Sequence, residues 1–210
     1  MKYVITSFIK SFNTSLTAFV GDVLGIPVPP KRIFVSPDQC KRDGINIVNF
    51  LPPTYDTITT SHPLWEYIEH YDIMMDLPYC FLYKEIHQHF PDSKFIHGIR
   101  PSDEWLSSLK RYDMLGDSNV GNQQLWLFAG YPYNPPFKPF KWTKENEDRL
   151  INTYETHNQN VIDYFKDYPD NFICVETPLN MQDSKNVAKL LGVETDKLIG
   201  HLNPNNIIRA

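Results

Sequence analysis

Cysteine is scarce in this sequence, and no two cysteines are close together. The three that occur, Cys40, Cys80 and Cys174, are odd in number and widely spaced. Zinc sites built from cysteine use closely spaced pairs, so their absence disfavours a zinc site of this type. Apolar residues flank Cys80 and Cys174, and we therefore expect these two thiols to be buried and reduced.

Long apolar runs and an excess of positive charge are also missing. No stretch approaches the run of about 18 apolar residues that a membrane-spanning helix needs, so no membrane span is expected. The formal net charge of −5 disfavours a general nucleic-acid binder, which requires a basic face. The first residues lack a convincing signal-peptide cleavage site. Together with the unpaired cysteines, this predicts a cytoplasmic protein.

The overall composition is that of a globular protein. Hydrophobic residues make up 41% and charged residues 21% of the 210 residues, which excludes disordered, collagen-like and coiled-coil classes. A chain of this length can bury a core without disulfides or metals. We therefore expect residues 1–210 to form one domain, and the pattern says nothing about oligomeric state.

Apolar patterning predicts strands that alternate with helices. The predicted strands cover residues 2–7, 72–76, 94–99 and 172–176, and the predicted helices cover 14–24, 64–70, 78–90, 102 onward, 143–166 and 184–191. Prolines between Gly25 and Pro63 exclude long helices and strands in this segment. We expect it to be irregular, with one short strand at 45–50. This order predicts an α/β fold with three layers, in which helices flank a mostly parallel central sheet.

Polar residues follow three of the predicted strands, where parallel sheets bind ligands. After the first strand, residues 7–15 contain Lys10 and several hydroxyls at the start of a helix, which suits an anion. The alternative is a hydroxyl-rich helix cap with an exposed lysine, and the local sequence favours it. The Walker A pattern GxxxxGK[ST] is absent, which lowers a second enzyme hypothesis, a kinase-like phosphotransferase.

Arg100 leaves a predicted buried strand, where a lone guanidinium would be costly, so it needs an anionic partner. Ser108 follows in the next helix, where its hydroxyl could join Arg100 on one phosphate. A salt bridge from Arg100 to Asp103, with Ser108 on the surface, explains the same pattern equally well.

The histidines are interpreted as structural residues. His87 and His89 are two positions apart on a predicted helix and face different sides, which disfavours a shared metal and predicts surface positions. His157 and Asn158 fall on the apolar side of the long helix, and we expect them to be buried and hydrogen-bonded.

Several segments together resemble a known family. Residues 75–78 (MDLP), 90–100 (FPDSKFIHGIR) and 105–108 (WLSS) resemble sulfotransferases that use 3′-phosphoadenosine-5′-phosphosulfate, in which a segment of the type YPGSKFILTVRDPEKWLRS binds the 3′-phosphate. Lys10 to Thr14 matches the family's PKSGTT loop in place and order. Residues 154–161 (YETHNQNV) resemble the YxxHNxxV helix of one sulfotransferase branch.

This resemblance implies a P-loop nucleoside-triphosphate-hydrolase-like fold and a function. The function is sulfuryl transfer to the hydroxyl of a sugar or small alcohol, with no metal required and adenosine 3′,5′-bisphosphate as product. Arg100 and Ser108 would bind the 3′-phosphate, and Asp76 at a strand end would be the base, although a structural carboxylate at a helix N-terminus is the competing interpretation. Lys10 would also neutralise the leaving phosphate. The implied 5′-phosphosulfate ligands are Lys10, Ser11, Phe12, Asn13, Thr14 and Ser15.

The sequence departs from the family pattern mainly in the first loop. Ile9 replaces the family's proline, Phe12 its glycine and Asn13 a threonine, so this loop must bend differently or bind less tightly. No clear counterpart of the C-terminal RKG loop is found. A catalytically impaired nucleotide-binding protein of the same fold is therefore an alternative. The aromatic segment 126–142 suits either stacking on an acceptor or a hydrophobic lid, and residues 115–141 as a whole suit a lid or wall.

Overall fold

The computed structural model describes residues 1–26, 64–69, 71–77, 79–114, 124–131 and 139–200. Within these residues four strands form one parallel sheet in the order β2-β1-β3-β4. The strands are β1 (Tyr3–Ile5), β2 (Ile73–Met75), β3 (Lys94–Ile99) and β4 (Phe172–Glu176). Each lies where the sequence predicted a strand.

Helices cover both faces of the sheet. They are α1 (Asn13–Leu24), α2 (Leu64–Glu69), α3 (Tyr83–His89), α4 (Ser102–Met114), α5 (Lys144–Phe165) and α6 (Met181–Leu190). On one face, Ile5 packs with side chains of α1 and α6. On the other, Val4 packs with side chains of α2, α3 and α5. The predicted three-layer α/β fold with a parallel sheet is therefore confirmed.

The strands are short apolar runs because both of their faces are covered. All three residues of β1 and all three of β2 are buried. A parallel sheet between two helix layers has no solvent-facing side, so its strands need not alternate apolar with polar residues. The middle of the sheet is therefore apolar, and polar residues are found mainly after the ends of the strands.

The N-termini of α5 and α6 are capped in different ways. The helix α5 begins after Thr143, whose side chain accepts a hydrogen bond from the backbone N–H of Asn146, as the predicted boundary required. The helix α6 begins at Met181, before the predicted start at Ser184. The reason is a capping box in which the Asn180 side chain and the Asp183 side chain each accept a backbone N–H of the other residue.

The predicted helix at 78–90 is shorter than expected. It begins at Tyr83, so Phe81 precedes it, and Pro78 lies outside the described residues. Ser102 begins α4 as predicted, and its hydroxyl donates to Oε1 of Glu155 at 2.6 Å.

The surface position predicted for His87 is wrong. Its ring is buried between Phe95 and Phe165, and its Nδ1 lies 3.1 Å from the hydroxyl of Tyr164. His89 is half-buried and stacks on Trp65 at 4.4 Å. Both histidine rings therefore pack against aromatic side chains, although their spacing on the helix predicted surface positions.

Other predictions concern thiols and the middle of the chain. Cys80 is buried and free as predicted, Cys174 is free but only half-buried, and Cys40 lies outside the described residues. The expected strand at 45–50 and most of residues 115–141 also lie outside them. The described parts of the latter are residues 124–131 and 139–141, whose apolar side chains pack in the same core cluster as Phe8. No helix in the described ranges has the length and hydropathy to cross a membrane.

The strand order places a switch point between β1 and β3. The chain passes from β1 to β2 on one side and then returns to place β3 on the other side of β1. Ligands of parallel α/β sheets bind at such a switch point, beyond the carboxyl ends of the two strands. In this protein those ends are Ile5 and Ile99, and the residues that follow them form the site.

Candidate functional site

The loop after β1 leads into α1 at the carboxyl end of the sheet, beside this switch point. Lys10 and Phe12 have left-handed backbones, with φ of 67° and 51°. Phe12 is the N-cap residue of α1 and makes no side-chain capping hydrogen bond, and the first turn contains no acidic residue. The partial positive charge of the helix N-terminus is therefore offset neither by a capping side chain nor by a carboxylate in its own first turn.

The structure explains how phenylalanine stands where the family's loop has glycine. The backbone of Phe12 adopts the left-handed region that glycine enters most readily. Its ring is buried in the core among Ile5, Leu16 and Ile96. A Cβ atom at Gly98 would lie 2.7 Å from Cζ of this ring, so the ring fits only because residue 98 is glycine. The loop thus turns as a glycine loop would, with the side chain directed into the core.

Arg100, which follows β3, reaches across to the same loop. Its Nη1 donates to the carbonyl oxygen of Lys10 at 3.3 Å, and in the described part of the chain its buried Nε has no hydrogen-bond partner. The expected alternative partner was Asp103, but the ion pair in the structure is a long one with Glu104, 3.9 Å from Nε to Oε2. Glu104 is 62% exposed and Arg100 only 16%, so solvent screens this pair and it neutralises the guanidinium weakly.

Two aromatic residues that the sequence analysis left without a role hold these groups together. The hydroxyl of Tyr154 accepts a hydrogen bond from the backbone N–H of Arg100 at 2.9 Å and donates one to the Arg100 carbonyl at 3.0 Å. Trp105 donates from Nε1 to the carbonyl of Ile9 at 2.9 Å and stacks on Tyr154 at 4.2 Å. Both stood in the motifs that resembled sulfotransferases, which was the only signal the sequence offered.

Asp76 lies at the end of β2, as predicted, and is 6% exposed. Its backbone is left-handed, with φ of 62°, a conformation that is uncommon for residues other than glycine. Its Oδ1 accepts a hydrogen bond from Nδ2 of Asn13 at 2.7 Å, and the same Nδ2 donates to the carbonyl of Ser7 at 3.0 Å. The first residue of α1 therefore holds the carboxylate at the carboxyl edge of the sheet.

The remaining predicted site residues lie on α1 and α4. Ser11 and Ser15 are buried, while Lys10 and Thr14 are half-buried. Ser108 is buried on α4, one turn beyond Trp105, but no hydrogen bond joins it to Arg100 in the part of the chain that the structure describes. The structure thus brings Lys10 into contact with Arg100, and Asn13 into contact with Asp76.

Two neutral histidines contact Thr6, the residue that follows β1 and precedes the loop. His97 Nδ1 lies 2.9 Å from the Thr6 hydroxyl and its Nε2 lies 3.1 Å from Oδ1 of Asn158, while His157 Nε2 lies 2.8 Å from the Thr6 carbonyl. Burial lowers the pKa of His97 to about 3, with a smaller contribution from His157, and burial lowers the pKa of His157 to about 4. The prediction that His157 and Asn158 are buried and hydrogen-bonded is confirmed.

A parallel sheet, a helix N-terminus without a side-chain cap and an arginine beside it at the switch point are features that α/β proteins use to bind anions. A family model described as a sulfotransferase domain matches residues 52–195, which is more than half of the chain. The protein therefore belongs to the sulfotransferase domain family, and the family suggested by the sequence is confirmed. A comparison with curated proteins finds no match. The matched range contains Asp76, Arg100 and Ser108 and excludes the loop after β1.

Proposed function

We propose that this protein transfers a sulfuryl group from 3′-phosphoadenosine-5′-phosphosulfate to the hydroxyl of a sugar or small alcohol. Membership in the sulfotransferase domain family supports transferase activity in general. The observation that carries the specific proposal is the position of Arg100. Its guanidinium lies against the Lys10 carbonyl, beside the start of α1, and its buried Nε has no hydrogen-bond partner among the residues that the structure describes.

The residues at this edge fit a nucleotide with two phosphate groups. The N-terminus of α1 and the Lys10 ammonium supply positive charge for the 5′-phosphosulfate, and Ser11, Thr14 and Ser15 supply hydroxyls in the same stretch. Phe12 contributes its backbone, since its ring is in the core. Arg100, with Ser108 on the next helix, is the proposed ligand of the 3′-phosphate, because a guanidinium can form paired hydrogen bonds to phosphate.

Asp76 is the proposed base. When the donor is bound, it supplies the sulfuryl group. Asp76 takes the proton of the acceptor hydroxyl, whose oxygen forms the new bond to sulfur, while Lys10 stabilises the negative charge on the phosphate that leaves. Asn13 keeps the carboxylate oriented through the 2.7 Å hydrogen bond. The product is adenosine 3′,5′-bisphosphate, and the proposed ligands include no metal.

A second candidate is a nucleotide-binding protein of this family without turnover. The observation in its favour is that Asp76 is 6% exposed and bonded to Asn13, which also suits a purely structural carboxylate. Both candidates include a cytoplasmic location, which the free thiols of Cys80 and Cys174 support.

Calorimetric titration tests the nucleotide assignment. We expect the protein to bind adenosine 3′,5′-bisphosphate without Mg²⁺, and Arg100→Ala to weaken this binding roughly 10- to 100-fold, as expected for losing hydrogen bonds to a charged group. Binding of adenosine 5′-phosphate should change little. Arg111→Ala, on an exposed position of α4, is the matched control. Equal losses for both nucleotides would overturn the role of Arg100.

A turnover assay then separates the two candidates. Purified protein is incubated with donor carrying labelled sulfate and a panel of sugars and small alcohols. Labelled product supports the transferase, whereas tight binding of the bisphosphate without product for any acceptor supports the binding protein. Binding of ATP that requires Mg²⁺, with no affinity for the bisphosphate, would contradict both.

A further inference from the structure

The hydroxyl of Tyr154 makes one hydrogen bond as a donor and two as an acceptor. It donates to the Arg100 carbonyl at 3.0 Å and accepts from the Arg100 N–H at 2.9 Å, and Oγ of Ser11 donates to it over a long 3.4 Å. A phenol hydroxyl offers one donor and two acceptor positions. None remains for a ligand, so Tyr154 can act on a bound nucleotide only through Ser11 and Arg100.

The ring of Tyr154 is fixed in place. It is completely buried and lies parallel to the indole of Trp105, with an angle of 6° between the planes. The indole is itself attached to the loop by the 2.9 Å hydrogen bond to the Ile9 carbonyl. Aromatic side chains have few rotatable bonds, so this pair holds its position at low entropic cost. Through it, α4 and α5 contact both the loop after β1 and the residue after β3.

This link lies beyond the end of the ladder between β1 and β3, while β4 pairs with β3 as far as Ile99. The paired register of β1 and β3 ends at Ile5 and Ile96, well before Arg100. Further along, the N–H of Gly98 donates to the Ser7 hydroxyl. Past that point, the hydrogen bonds that tie Arg100 to the loop include the Tyr154 bridge to Ser11 and the contact of Arg100 with the Lys10 carbonyl. The Tyr154 hydroxyl is thus placed to set the distance between the loop after β1 and Arg100.

We infer that Tyr154 is a positioning residue that fixes the distance between the loop after β1 and Arg100, and thereby makes the site selective for nucleotides phosphorylated at both the 5′ and 3′ positions. This inference rests on the proposed function, in which these two groups bind the two phosphates. A residue that only stabilised the fold would affect nucleotides with one or two phosphates alike. Selectivity between the two nucleotides is therefore the informative measurement.

The test uses Tyr154→Phe, which keeps the stacked ring and removes only the hydroxyl. We expect affinity for adenosine 3′,5′-bisphosphate to fall about tenfold and affinity for adenosine 5′-phosphate to fall less than about threefold, since both hydrogen bonds that hold the Arg100 backbone are lost. Tyr164→Phe is the matched control, because this tyrosine lies on the same helix and its hydroxyl contacts His87 instead. It should change neither affinity.

A double-mutant cycle shows whether Tyr154 acts through Arg100. In an Arg100→Ala background, Tyr154→Phe should change bisphosphate affinity by less than about twofold. Equal losses in both backgrounds, or an unchanged affinity of Tyr154→Phe itself, would overturn the inference and leave the proposed function standing. Failure of the unaltered protein to bind the bisphosphate would overturn both.

A second variant tests the same inference in case Tyr154→Phe does not fold. Trp105→Phe keeps an aromatic ring against Tyr154 and removes the hydrogen bond to the Ile9 carbonyl. If Tyr154→Phe does not fold, the same selective loss for the bisphosphate in Trp105→Phe supports the inference. Equal losses for both nucleotides in that variant would overturn it.

Discussion

The side-chain amide of Asn13 donates a hydrogen bond to Oδ1 of Asp76 at 2.7 Å, and this bond connects the first residue of α1 to the residue that follows β2. Asn13 stands where the related sulfotransferase loop has a threonine. Threonine has a single hydroxyl, whereas an amide nitrogen can donate twice, and Asn13 uses both donors, one for Asp76 and one for the Ser7 carbonyl. The replacement therefore gives the proposed base a partner of its own.

Asp76→Asn should abolish turnover while leaving nucleotide binding nearly intact. An asparagine oxygen can still accept the hydrogen bond from Asn13, and asparagine tolerates the left-handed backbone of position 76 better than most residues. The amide is uncharged and cannot take the proton of the acceptor, so we expect turnover to fall at least about 100-fold. The measurement is a steady-state rate with labelled donor, paired with calorimetry of the bisphosphate.

The control for this variant is Asp167→Asn, which alters an exposed carboxylate beyond the end of α5. It should leave both rate and binding unchanged. If Asp76→Asn is as active as the unaltered protein, another group is the base and Asp76 is structural.

Gly98→Ala should destabilise the fold by about 1–3 kcal/mol, as expected for overpacking a core. The new Cβ would lie 2.7 Å from Cζ of Phe12 and 2.9 Å from the carbonyl oxygen of Ser11. Denaturant unfolding monitored by circular dichroism measures the loss. Gly200→Ala is the control, because a Cβ there meets nothing within 4 Å.

A second substitution separates the two clashes at Gly98. Adding Phe12→Ala removes the ring but leaves the Ser11 carbonyl in place. The double variant should therefore be destabilised by less than the sum of the two single variants. A strictly additive result would mean that the ring does not restrict residue 98.

Stability should depend on pH through His97 and His157, two of the buried histidines. Burial lowers the folded-state pKa of His97 to about 3 and of His157 to about 4, from an ordinary value of 6.5. Between these values the unfolded chain binds protons that the folded protein does not. The free energy of unfolding should therefore be highest above pH 6.5 and fall toward pH 4, by about 1.4 kcal/mol per pH unit for each histidine.

Urea denaturation at a series of pH values between 4 and 7.5 measures this slope. In His157→Gln the amide can still donate to the Thr6 carbonyl, but the side chain binds no proton. The slope of that variant should be smaller than the slope of the unaltered protein by about 1.4 kcal/mol per pH unit. Identical slopes would show that His157 is protonated in the folded state as readily as in the unfolded chain.

The sequence predicted the sheet well because strand burial leaves a local signal. The strands at 94–99 and 172–176 have the predicted bounds, since each is a short run bounded by turn residues. The start of α6 was missed because a capping box at Asn180 extends the helix by one turn. His87 was misplaced because the aromatic partners that bury it come from β3 and α5, which are distant in sequence.

The site was predictable only in part, for a similar reason. The motifs located Asp76, Lys10 and Arg100 at strand ends, which parallel topology then brings to one edge. The role of Tyr154 depends on how α5 packs against the end of β3, across 54 positions of the chain. That Phe12 adopts the left-handed backbone is equally hidden, because bulky residues rarely do so and the accommodating glycine lies far away at position 98.

The position of β1 in the sheet affects how this protein should be shortened for experiments. A fragment limited to the family match, residues 52–195, would lack β1, the strand that pairs with both β2 and β3. Both neighbours would then present unpaired apolar edges, which promote aggregation. The region shared with the family therefore depends, for a continuous sheet, on a strand contributed by residues outside it.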